Sequence, residues 1–167
     1  MNNQAIRNHL RPVLDGKFFK IGDDRFYIKG TTYGTFAPDE KGEQFPPLEV
    51  VEKDFQLISE SGINTIRTYT VPSIAILNLA LKYNLKVMVG MPWEQHITFL
   101  ESKKQAQQII NQLKADVLKC EKHPAIFCYS IGNEIPAPIV RWHGEKKITN
   151  FLFEPTQKTD FMNLYNN

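Results

Sequence analysis

The chain has 167 residues, 42% of them apolar and 23% charged, with 20 basic against 18 acidic side chains and a formal net charge of +2. That length suffices for one domain that buries roughly 70% of its unfolded surface, and the balanced, scattered charge speaks against a nucleic-acid partner: the basic pair Lys103-Lys104 sits among Gln and Glu as on a solvated helix face. No apolar run reaches the roughly 18 residues of a membrane span and residues 1–10 are polar rather than signal-like, so the expectation is a cytoplasmic protein with no membrane partner.

In chain order, residues 1–16 read as a polar N-terminal extension. Residues 17–20 and 25–29 are short β-type runs separated by the turn signal Gly22-Asp23-Asp24, which predicts a hairpin capping one end of the domain. The second run passes into a polar loop, Gly30-Thr31-Thr32-Tyr33-Gly34. From Pro46-Pro47 the pattern turns helical, with Leu48, Val51, Phe55 and Ile58 at helical spacing and Gly62 as the stop. A β-branched run over 63–69 follows, ending in Arg67, Thr68 and Tyr69. A second helix over 73–83 closes at Asn84, and 85–89 is an apolar run of the kind a parallel strand covered on both faces shows.

The loop after that strand, Gly90-Met91-Pro92-Trp93-Glu94-Gln95-His96, is dense in binding and reactive groups. A long helix over 101–122 is expected to bury Ala106, Ile109, Leu113 and Val117. Residues 125–131 form a fourth strand that runs into Gly132-Asn133-Glu134, a further helix reaches 153, and 154–167 is an irregular tail. Cys120 and Cys128 fall on a helix end and a strand, directions unsuited to a bridge, and read as buried free thiols.

Strands and helices alternating at this rhythm predict an α/β fold with a parallel sheet and right-handed crossovers. An open doubly wound sheet normally carries a Gly-rich first turn, and residues 30–34 match neither G-x-G-x-x-G nor a phosphate loop. Polar and aromatic residues at the end of each strand favour a (β/α)8 barrel, whose site is assembled from several loops at one face. A complete barrel typically needs about 250 residues, so the prediction is a partial barrel of about four βα units over 17–153 with an N-terminal hairpin.

Glu134 is the centre of the chemical reading. At the mouth of an apolar strand, between Ile131 and Ile135, its carboxyl is expected to be partly desolvated and raised towards the range of a general acid. Asn133 can both donate to and accept from a sugar hydroxyl. The plainer alternative is that Asn-Glu caps the next helix. A metal site from Glu94, His96 and His143 lacks any ligand pair at a recognised spacing, and none is expected.

The strand Phe127-Cys128-Tyr129-Ser130-Ile131-Gly132-Asn133-Glu134, preceded by Gly62-Ile63-Asn64-Thr65-Ile66-Arg67, resembles the fourth and second strands of retaining barrel glycosidases, most closely glycoside hydrolase family 2. The resemblance implies that Glu134 is the acid/base, that Asn133 binds substrate, and that Arg67 lies near the sugar and supports the nucleophilic carboxylate; a simple ion pair is the alternative for Arg67. Substrate contacts are also expected from Trp93, as a platform for a pyranose ring or as packing, from Glu94 and His96, as hydroxyl contacts or loop supports, and from Tyr33 in the first strand-end loop. The stretch from Gly132 to Trp142 is similar to a glycosidase-like module attached to bacterial glycosyltransferases, with helix packing as the other role for Arg141, Trp142 and His143.

Retaining glycosidases need a second carboxylate about 5 to 5.5 Å from the acid/base, and the resemblance places it on a seventh strand. Asp39, Glu40 and Glu94 do not stand at that place. The expected function is therefore a glycoside hydrolase-like domain acting on a β-linked carbohydrate and lacking its nucleophile: a truncated enzyme, a half-barrel that associates through open sheet edges, or a non-catalytic carbohydrate-binding module. No cofactor is expected, because acid/base chemistry at a glycosidic oxygen needs none.

Overall fold

The computed structural model describes residues 9–40, 42–94, 96 and 98–157, with side chains described as far as Phe151. Three short strands, β1 (Val13–Asp15), β2 (Phe18–Ile21) and β3 (Asp24–Phe26), form an antiparallel sheet in that order. Two-residue turns join them, and Gly16 and Gly22 adopt the left-handed φ values, 62° and 60°, that such turns require. The expected hairpin is thus a three-stranded ribbon. β1 comes from within residues 1–16, where three strand residues are too few to show a period of two.

The parallel sheet contains β4 (Gly30–Tyr33), β5 (Thr65–Thr68), β6 (Lys86–Gly90) and β7 (Ile126–Ser130), hydrogen-bonded in chain order. Helices α1 (Leu48–Glu60), α2 (Ile74–Lys82) and α3 (Lys103–Leu118) make the crossovers. A sheet that never reverses its strand order is a segment of barrel wall, not a doubly wound sheet with a switch point. The structure is a partial TIM barrel of four βα units, as expected. Ser73 and Ser102 cap α2 and α3 by accepting from the amides of Ile76 and Gln105, and Asn84, at φ 57°, ends the α2 turn in the left-handed region.

Alternation along the strands divides the wall into two faces. Ile66, Val87 and Val89 point into the helical layer, where they are sealed with Val51, Phe55, Leu77 and Ala80. The other face carries Thr32, Arg67, Met88 and Cys128 in one row, paired in register from strand to strand. Where β6 ends, a Cβ on Gly90 would stand 2.4 Å from the Thr68 carbonyl oxygen and 2.8 Å from Tyr69 Cα, so only glycine fits.

The N-terminal end of the parallel strands is plugged. Phe127 of β7 meets Phe19 and Phe26 of the ribbon edge-on, with centroids 4.9 and 6.1 Å apart. Beside them Lys86 is buried and donates to the carbonyls of Leu10, at 2.7 Å, and Pro124, at 3.1 Å. Its burial, aided by the nearby Arg11 guanidinium, pulls the ammonium down to about 8.

A second, smaller core gathers Phe99, Ile109, Ile139 and Ile148 above the other end of the wall. It rests on α4 (Ala137–His143) and α5 (Glu145–Gln157), which replace the single helix expected up to 153. Gly144, at φ 81°, breaks them apart, and α5 runs four residues into the segment expected to be irregular. Residues 158–167 of that segment lie outside the described residues.

Cys120 and Cys128 are free, as expected. Burial raises both thiols, Cys128 to about 11, which keeps the nucleophilic thiolate scarce at neutral pH. Among the described residues no helix is long and apolar enough to cross a membrane, and no group of three His, Cys, Asp or Glu side chains is arranged to hold a metal ion.

Candidate active site

The polar strand ends expected to form one site do converge in part. Arg67, the third residue of β5, projects from the face opposite the helices and is half-buried. Its Nη2 donates to Asn133 Oδ1 at 2.5 Å, across 66 residues of sequence. The guanidinium carbon lies 5.0 Å over the ring of Tyr69, so one edge of Arg67 is held by an amide and one face by an aromatic ring. Its Nε is buried and makes no hydrogen bond among the described residues. A buried donor left without an acceptor is costly, and a carboxylate or sugar oxygen would satisfy it.

Tyr69 escaped the sequence reading, although a signal was present. Residues i and i+2 at a strand end share a face, and Arg67 and Tyr69 stand at that spacing. Gly34 borders the ring, where a Cβ would make an ordinary contact 3.6 Å from Tyr69 Cδ2; its φ of 114° is what calls for glycine.

Glu134 departs from expectation. The hydrogen-bonded strand ends at Ser130, so the carboxyl belongs to the following turn, and it is exposed rather than partly desolvated. The physical reason is the backbone: pairing with β6 ends at Ser130, and Glu134 itself adopts φ 55°. A left-handed non-glycine residue costs on the order of 1 kcal/mol, and such residues concentrate at functional sites. Asn133 remains half-buried and carries the link to Arg67.

Trp93 is braced. Its Nε1 donates to the Ile131 carbonyl at 2.6 Å, and its ring packs edge-on to Phe99, at 4.8 Å, and tilted against Phe151, at 6.2 Å. Those contacts match the packing alternative and tie the loop after β6 to the turn that holds Asn133. Glu94 and His96 are exposed on the same loop.

Tyr33 is a correction. Rather than facing a substrate, it points into the helical layer and is 7% exposed. Its ring packs against Phe55 and Phe36, and its hydroxyl donates to Asp54 Oδ2 at 2.7 Å. Burial and the Asp54 carboxylate raise its acid dissociation far above the ordinary tyrosine range. The sequence predicts a polar loop over residues 30–34; instead Gly30–Tyr33 is itself a strand of the wall, and position 33 falls on the side opposite Thr32.

This chain matches the family described as glycosyl hydrolases family 2, TIM barrel domain, over residues 13–160. A 1,3-beta-glucanosyltransferase of Aspergillus fumigatus is 32% identical over 66 residues, which make up 39% of this chain and 15% of that protein. Among solved structures, a beta-glucuronidase of Parabacteroides merdae, with glycerol in its active site, superposes with a TM-score of 0.67 at 19% identity, covering 86% of this chain and 18% of the other. Saccharomyces cerevisiae Gas2p in complex with laminaritriose and laminaritetraose superposes with a TM-score of 0.63 at 15% identity, covering 91% and 37%. The chain therefore spans between about one seventh and two fifths of the length of these relatives. Those two structural likenesses speak to the fold, and the family match extends over most of the sequence: the chain belongs to the TIM-barrel domain family of glycosyl hydrolases family 2.

Proposed function

We propose that this glycoside hydrolase-like domain acts on the O-glycosidic bonds of a β-linked carbohydrate, with Glu134 as general acid/base and Asn133 at the adjoining sugar hydroxyl. The observation that carries the reading is the Arg67–Asn133 hydrogen bond, which fixes the residue next to Glu134 on the C-terminal side of the parallel strands. In this scheme Glu134 protonates the oxygen of the leaving sugar, and the same group then removes a proton from water. A bound sugar would also shield the exposed carboxyl from water, supplying the desolvation that the bare turn lacks.

A retaining reaction requires a second carboxylate as nucleophile. Asp39, one of the acids considered for that part, is engaged in its own loop, where Oδ1 accepts from the Glu43 amide at 2.8 Å. The proposal therefore assigns the nucleophile to βα units beyond the four described here, on the far wall of a completed barrel. The unsatisfied Nε of Arg67 is the donor that would receive it.

The exposure of Glu134 favours a second reading, a non-catalytic carbohydrate-binding or glycosyltransferase-associated module that keeps the cleft without the reaction. Kinetics on aryl β-glucosides and β-glucuronides, measured on a form that carries the βα units holding the nucleophile, separates the two. The enzyme reading expects Glu134→Gln to reduce turnover by about 10²- to 10⁴-fold with the melting temperature unchanged; turnover that survives the substitution removes Glu134 from the chemistry. The module reading expects saturable sugar binding and no turnover from either form.

A further inference from the structure

Helix α4 turns one side chain outward that neither core uses. Trp142 is 72% exposed, more than any other large apolar side chain described. It is nonetheless fixed. Its Nε1 donates to Glu101 Oε1 at 2.9 Å, and Glu101 Oε2 accepts from the Thr98 hydroxyl at 3.2 Å. Directly beneath, His143 is buried against Phe99, with ring centroids 5.6 Å apart, and Ile139 joins the same cluster. Helix α4 and residues 98–101 are thus locked together at two points, Trp142 on Glu101 and His143 on Phe99.

Both segments follow the C-terminal ends of parallel strands, the loop after β6 and the helix after β7, so Trp142 stands on the same end of the wall as Asn133 and Glu134. It lies five residues into α4, about 8 Å along the helix from its start. We propose that Trp142 is the aromatic platform of an outer carbohydrate subsite, which takes the apolar C–H face of a pyranose farther along the same β-linked chain whose scissile bond lies at Glu134. This rests on the reading of Glu134 given above.

The chemistry of the surface selects the ligand. With its N–H committed to Glu101, the indole offers only a ring face, and Glu101 with Thr98 forms a polar edge beside it. A sugar ring has that complement, an apolar face ringed by hydroxyls. A protein partner would need a contiguous apolar patch of several hundred Å², and none of the other exposed large apolar side chains described lies on α4 or on residues 91–102. Preorganisation adds to the case, because an aromatic side chain already held in one orientation loses little freedom when a ligand stacks on it.

The test compares ligand lengths on the whole chain. Isothermal titration of laminaritetraose and of a single-residue aryl β-glucoside against wild type, Trp142→Ala and Trp142→Phe is expected to show a loss of about 3- to 10-fold for the tetrasaccharide in Trp142→Ala. The aryl glucoside should bind all three equally, and Trp142→Phe should keep most of the tetrasaccharide affinity. An equal loss for both ligands, or no loss, overturns the outer subsite; so does sedimentation showing that Trp142 holds two copies of the chain together. If Glu134→Gln abolishes turnover while Trp142→Ala leaves tetrasaccharide binding intact, the outer subsite alone falls. If the wild-type chain binds no β-linked sugar, both readings fall.

Discussion

The two ends of the parallel sheet are built to different rules. At the N-terminal end, aromatic rings from the ribbon close on Phe127, and the buried Lys86 is tied to two backbone carbonyls. At the C-terminal end, Arg67 keeps a buried donor without an acceptor, Glu134 takes a left-handed backbone, and Trp142 leaves its ring in solvent. One end invests in satisfied groups and the other leaves groups ready for a ligand. This is the division of labour that βα barrels show between their stability face and their catalytic face, and here it is already present in four strands.

The sharpest way to break the contrast is to damage the sealed end. Phe127→Ala removes a side chain that is 5% exposed and wedged between two rings, and should cost about 3 to 5 kcal/mol of stability, read as a lower midpoint in urea. Below that midpoint, sugar binding should persist. Loss of binding in the folded variant would show that the two ends are not independent.

A smaller effect probes Lys86. Its folded state titrates near 8, below the 10.5 of a free lysine, because burial and Arg11 disfavour the charge. Between those values the unfolded chain binds more protons than the folded one, so stability rises with pH across about 8 to 10.5 and this contribution is flat outside that window. The Cys128 thiol, raised to about 11, acts in the opposite sense from about 9 upward, so denaturation midpoints should show the rise between about pH 8 and 9, and Lys86→Met should remove it. A wild-type profile of the same slope as the variant would mean that Lys86 titrates alike folded and unfolded.

The same division explains what the sequence made legible. Three of the four parallel strands and their crossovers announced themselves because apolar residues facing helices must recur with a fixed period, as Val51, Phe55, Ile66, Val87 and Val89 do; the polar Gly30–Tyr33 strand, expected as a loop, did not. The candidate residues Arg67, Asn133 and Glu134 were equally visible, since spacing and residue type survive without coordinates. Strand ends and exposure were not visible. Tyr33 was assigned to a loop because Gly30-Thr31-Thr32-Tyr33-Gly34 is polar and bounded by glycines, while pairing with β5 makes its first four residues a strand that turns Tyr33 into the helical layer. Glu134 was assigned to a desolvated strand mouth because nothing in Ile131-Gly132-Asn133-Glu134 states where the hydrogen-bonded ladder ends. Contacts between loops, such as Trp93 with Ile131 and Trp142 with Glu101, link residues about 40 positions apart, and no local pattern encodes them.

Tyr69 offers the finest test, because it separates holding a residue in place from touching a substrate. If its ring positions Arg67 through the cation–π contact at 5.0 Å, Tyr69→Phe keeps the interaction and Tyr69→Leu loses it. Such contacts are worth about 0.5 to 2 kcal/mol, so Tyr69→Leu should weaken sugar binding, or lower kcat/KM where turnover is measurable, by about 2- to 30-fold, with Tyr69→Phe close to wild type. A direct hydroxyl contact with substrate would reverse that pattern and make the phenylalanine variant as poor as the leucine one. Combining Tyr69→Leu with Asn133→Ala completes the argument: if the ring and the amide act through the same guanidinium, the double variant should lose less than the sum of the two single effects. Strict additivity would mean that the end of β5 and the turn after β7 act as separate sites.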